Sequence, residues 1–167
     1  SRRDWSTTPM PVDSVISWGF LAAAWAGLGL GLFVYARDPE GRIHRSWFLF
    51  SMAASVWALG MFGVTRLLSG LWVLGMARAA HVAYALVPLF FARFALALGG
   101  EETQPPWLRW ADRTAALFAI LSLTPLIVSD MQTGTAVAFY PEPGPFYGLF
   151  ALWFGVLFCL GLGALWV

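Results

Sequence analysis

Residues 15–36 read VISWGFLAAAWAGLGLGLFVYA, from Val15 to Ala36, without one charged side chain. A helix rises 1.5 Å per residue, so a run of this length matches a hydrocarbon layer roughly 30 Å thick. Backbone donors and acceptors find no water in that layer, which forces the run to be helical. It is too long for a signal-peptide core, and no small-residue cleavage site follows it. Working outward, four further apolar stretches cover about 47–68, 71–98, 115–129 and 146–167. Composition agrees: 59% of the residues are hydrophobic and 11% charged, against about 25% charged in a soluble domain, and the mean hydropathy is +0.70. The expected fold is all-α, a polytopic transmembrane helix bundle of about five spans. Residues 1–14 form an external tail and 15–167 the bundle. Pro125 is expected to kink the fourth span, and because the fifth reaches Val167 without a polar flank, the chain is expected to continue.

The joints between the stretches carry the orientation. The first, Arg37 to Ser46, holds Arg37, Arg42 and Arg45; the third, Gly99 to Arg113, holds Arg109 and Arg113. The second has Arg66, and the fourth, Asp130 to Pro145, has no basic residue. Positive-inside bias puts the first and third joints in the cytoplasm and the N-terminus outside, against the pull of Arg2 and Arg3. Trp5, Trp47, Trp72, Trp107 and Trp110 fall near span ends, where an indole sits half in lipid and half in water. Ala23, Gly27 and Gly31, and again Gly155, Cys159 and Gly163, recur every four residues, a spacing that lets helix backbones approach. A net charge of +1 without a basic tract excludes a nucleic-acid partner. The single cysteine, Cys159, makes no intrachain disulfide, and no Cys/His cluster has metal spacing.

Charge inside a span is costly and marks candidate function. The third span carries Arg78, His81 and Tyr84, three residues apart and so on neighbouring positions of one helix surface. In the orientation above they lie in the outer half. Pro88, one turn further on, frees a backbone carbonyl near Tyr84. Together they are candidates for lining a polar cleft that takes an anionic or hydrogen-bonding ligand. The plainer alternative has Arg78 snorkelling to lipid phosphate and His81 bonding a neighbouring helix. Asp13, Asp130 and Glu142 fall on the same side as possible partners of Arg78, whereas Arg93 is within snorkelling reach of the cytoplasmic end. His81, beside Ala77, Ala80 and Ala85, also offers a flat surface where a tetrapyrrole pigment could take the imidazole as axial ligand. No cofactor is otherwise expected. Catalysis finds no support: there is no paired-carboxylate arrangement in a span, no nucleophile at motif spacing from a histidine, and no phosphate-cradling loop.

The segment MARAAHVAYALVPLFFARFALALGG, residues 76–100, resembles the third helix of the seven-helix N-terminal membrane domain of bacterial sensor histidine kinases, also found before diguanylate cyclases. Ala77-Arg78, Pro88 and the stretch Phe91 to Leu96 carry the likeness. RSWFLFSMAASVWALG, with Trp57, is similar to that family's second helix, and FYPEPGPFYGLFALWFG to its turn into the fifth. The sequence departs in Arg93, where the family often has histidine, and in lacking the last two helices and any output domain. The resemblance implies a non-catalytic sensory or ligand-binding module of the bacterial inner membrane, with Arg78 as its best-placed polar residue. Its expected partners are the bilayer and a self-dimer or other membrane subunits. The competing expectation is an accessory subunit of a larger complex, photosynthetic or respiratory. A small transporter would need broken-helix pairs and an inverted repeat.

Overall fold

The structure, a computed structural model, describes residues 11–66, 70–100, 105–132 and 140–166. Most of the expected tail, with Trp5, and the acidic pair Glu101-Glu102 lie outside the described residues. So does Val167.

Five helices and one hairpin follow one another as α1 (Pro11–Arg37), α2 (Arg42–Arg66), α3 (Gly70–Leu98), α4 (Pro106–Leu121), β1 (Val128–Gln132), β2 (Tyr140–Pro143) and α5 (Tyr147–Gly163). The all-α expectation holds, with the hairpin as an addition. Within the first three helices, Val15–Arg37, Arg42–Arg66 and Trp72–Leu98 are long and apolar enough to cross a membrane; α5 is apolar but shorter. The most apolar stretch of α1 is 11% buried, that of α2 33% and that of α3 50%. That gradient identifies α3 as the centre of the bundle: it touches α2, α4, α5 and β1, while α1 packs on α2.

Small residues make the centre possible. Ala77, Ala80, Ala85, Ala92 and Ala95 of α3 are buried, and Gly60 of α2 lies so close to Ala80 that a Cβ added there would come within 2.5 Å of the alanine methyl. Such close approach supplies dispersion contact that holds packed helices together, and it matters most in lipid, where no hydrophobic drive acts between helices. Two residues of the first expected small-residue stripe behave the same way, Gly27 facing Ser55 and Gly31 facing Ser51; the third, Ala23, is exposed, and its neighbour Ala24 is buried instead. The second does not. Gly155 and Gly163 meet nothing within 4 Å, and Cys159 is exposed; the glycine of α5 that packs inward is Gly161, against Phe91 and Ala92. Large apolar side chains point away from the protein instead, among them Trp18, Trp25, Phe33 and Leu152. Such surface is the reverse of a water-soluble exterior.

The fourth apolar stretch differs most from expectation. Its helix starts at Pro106 and stops at Leu121, where 115–129 was expected, and residues 128–129 belong to β1. The start has a physical cause: Pro106 occupies the first turn of the helix, where a missing N–H costs nothing. Leu108, Ala111, Ala115 and Phe118 then form a buried stripe, while Arg109 and Arg113 face outward. At the far end the Ser122 hydroxyl donates to the Phe118 carbonyl at 2.7 Å. Thr124 does likewise to Leu121 at 2.6 Å. These bonds satisfy the last carbonyls and close the helix before Pro125, which therefore follows the helix and does not kink it. Trp153 Nε1 donates to Thr114 Oγ1 at 2.9 Å, tying α5 to α4.

Two polar contacts lie toward the ends where the sequence puts the first and third joints. Arg93 Nη2 pairs with Asp112 Oδ1 of α4 at 2.6 Å, so its partner is a neighbouring side chain. In the joint between α1 and α2, Asp38 Oδ1 accepts from the Gly41 N–H at 3.0 Å and turns the chain.

Candidate functional site

Residues 122–132 and 140–147 fold back over the C-terminal half of α2 and the N-terminal half of α3. β1 and β2 pair antiparallel with Asp130 opposite Glu142 and Gln132 opposite Tyr140, and the register slips between Val128 and Asp130. The slip is a bulge at Ser129. In a regular strand successive carbonyls point to opposite sides, but a bulge bends the backbone and re-aims one of them. Here the Val128 and Ser129 carbonyls both turn to Arg78. Its Nε and Nη2 donate to the Val128 oxygen at 3.2 and 3.1 Å, and Nη2 also to Ser129 at 3.3 Å. The base of the hairpin is closed by Gly144 N–H to the Ile127 carbonyl at 2.8 Å and Phe146 N–H to Leu126 at 2.9 Å. Gly144 sits against the Pro125 and Leu126 carbonyls, with no room for a side chain.

A cavity of about 250 Å³ lies between this fold-back and the helices, lined by Trp57, Met61, His81, Tyr84, Glu142 and Tyr147, with Ile127, Val128 and two prolines of the hairpin closing it. His81 is 5% exposed. Its Nδ1 lies 2.8 Å from the Ala77 carbonyl one turn back. A carbonyl only accepts, so Nδ1 carries the proton. The other ring nitrogen, Nε2, has no hydrogen-bond partner among the described residues. Tyr84 is held between Trp57, at 5.2 Å between ring centres, and Phe154, at 4.6 Å, both stacked. Tyr147 meets the His81 ring edge-on at 6.4 Å. Below the cavity Ser122 Oγ reaches the His81 carbonyl at 3.4 Å, and Val64, Val73, Ala77, Phe118 and Phe150 form a packed floor.

The three candidate residues are thus close but not alike. His81 and Tyr84 line the cavity. Arg78 stands beside it with its guanidinium on hairpin carbonyls, and neither Asp130 nor Glu142 forms an ion pair with it among the described residues. Asp130 instead accepts from the Met131 N–H at 2.8 Å; the side chain of Asp13 lies outside the described residues. With Arg78 so engaged, the cavity wall is poor in cations, and an anionic ligand loses its reason. For a tetrapyrrole the correct nitrogen is free, yet the space is below the 300–1,000 Å³ common for larger ligands. The sequence does not single out Met61 or Tyr147, and Trp57 enters it only through the second-helix resemblance. Tyr147 stands two residues after PEPGP, Pro141 to Pro145, the one signal that could have marked it. No cluster of three or more metal-ligating side chains exists among the described residues.

Searches of family models, of curated proteins and of solved structures gave no match to this chain.

Proposed function

We propose that the chain is the ligand-receiving part of a polytopic membrane protein of the bacterial inner membrane, set N-terminus outside, with the hairpin and its cavity at the outer face. α1, α2, α3 and α5 cross the bilayer, and α4 with residues 122–127 brings the chain back from the inner side to the outer face between α3 and the hairpin. α4 covers the inner half against α3 through the Arg93–Asp112 pair. A ligand entering the cavity would bear on α2 and α3 at once through Trp57, His81 and Tyr84, and a shift in their packing would be felt at the cytoplasmic ends. The module is non-catalytic, in line with the sensor-domain resemblance.

The observation that carries this reading is the cavity itself: a buried histidine whose Nε2 has no hydrogen-bond partner among the described residues, set among aromatic rings and roofed by a hairpin that an arginine fastens down. A ligand has something to bind and something to move. One observation favours the alternative, an accessory subunit of a larger assembly, namely the open face of Gly155, Cys159 and Gly163, which a partner helix would fit. Native mass spectrometry of the tagged chain drawn from its own membranes separates the two. The receptor reading expects the chain alone or as a self-dimer, carrying a small molecule that His81→Ala releases. Stoichiometric foreign subunits and no small molecule would overturn it.

A further inference from the structure

The unspent nitrogen says more about the ligand. The Ala77 carbonyl fixes the proton on Nδ1, and a charged ring so deeply buried with no anionic partner in contact would be costly. Neutral His81 therefore presents Nε2 to the cavity as a bare acceptor. The Glu142 carboxylate, also on the wall, is a second acceptor. Tyr84 already stacks with Trp57 and with Phe154, so its ring is committed to packing and not to an aromatic cage for a cation. Besides the Trp57 and Tyr147 rings, the rest of the wall is Met61, Ile127, Val128, Pro141 and Pro143. About 250 Å³ admits one substituted ring and little more.

We infer that the cavity takes a lipid-soluble aromatic alcohol, a phenol or hydroquinone ring whose hydroxyl donates to His81 Nε2 while the ring lies among Trp57, Tyr147 and the hairpin prolines. This rests on the cavity being a ligand site, and the test separates the two ideas. The full chain in phosphatidylcholine nanodiscs, labelled with ¹⁵N-histidine, gives signals from two rings, His81 and the half-buried His44, which lies outside the cavity and serves as internal control. The probes are 4-methylphenol, its methyl ether, benzylammonium and benzoate. The expected result is saturable binding of the phenol with a shift at His81 Nε2 and none at His44. The methyl ether, which keeps the ring and loses the donor, binds about 3- to 10-fold more weakly, the value of one net hydrogen bond. His81→Phe weakens the phenol by a similar factor and leaves the ether unchanged; the ether comparison stands by itself if that variant fails to fold. If ether or benzylammonium bound as well as the phenol, the donor inference would fall and the ligand site would stand. If no probe moved the His81 signal, both would fall.

Discussion

Removing the Arg78 guanidinium should loosen the roof of the cavity before it loosens anything else. Arg78 donates to two carbonyls, Val128 and Ser129, and Val128 is fully buried. A hydrogen bond to a charged group contributes about 1.5–3 kcal/mol. Two donations share the Val128 oxygen, so the lower end for each of two carbonyls, about 3 kcal/mol in all, is the reasonable figure. In Arg78→Met, which keeps most of the side-chain volume, both carbonyls lose their donor. Hairpin opening then becomes more favourable by about 3 kcal/mol, or roughly 100-fold. The readout is amide hydrogen exchange at Gly144 and Phe146, whose N–H groups close the hairpin base on Ile127 and Leu126. Both should exchange roughly 100-fold faster, with amides in the middle of α2 and α3 unchanged. Arg78→Lys, with a charge but no planar fork, should fall between. Unchanged exchange at Gly144 and Phe146 in a folded Arg78→Met protein would refute the anchoring role.

Gly60→Val should destabilise the α2–α3 pair by about 1–3 kcal/mol through overpacking on Ala80, measured by SDS titration, whereas Gly155→Val, which meets nothing, should leave monomer stability within about 0.5 kcal/mol. Trp153→Phe should cost about 1 kcal/mol for the bond to Thr114 in the same assay, and a Thr114→Val background should abolish that difference. The Arg93–Asp112 pair is about a third exposed on both sides, so a double-mutant cycle should give a coupling of no more than about 1 kcal/mol.

The long helices were legible because nothing about them is tertiary. Val15 to Ala36 must be helical in lipid whatever surrounds it, and the structure extends it only by a few residues at its start. α4 was displaced because hydropathy weighs apolar content and overlooks amphipathic turns. Arg109, Asp112 and Arg113 look like a joint, yet Asp112 has a partner in Arg93, and the pair of prolines at 105–106 is a helix start. The hairpin was invisible for a different reason. VSDMQ is too short to show a period, and its geometry depends on an arginine fifty residues earlier in the chain. Of the site, the third-helix polar residues were readable from their cost in lipid. Their division of labour was not, since Arg78 could be assigned to the hairpin only once the Ser129 bulge had turned two carbonyls toward it. Met61 and Tyr147 are ordinary apolar and aromatic residues until the fold-back places them around His81.

The central claim is that the cavity faces the outside of the inner membrane. Single cysteines placed at Glu142 in the hairpin and at Asp38 between α1 and α2, both in a Cys159→Ser background, can be challenged with a membrane-impermeant maleimide on intact spheroplasts. The account predicts labelling of Glu142→Cys before lysis and of Asp38→Cys only after it. Labelling in the reverse order would contradict it.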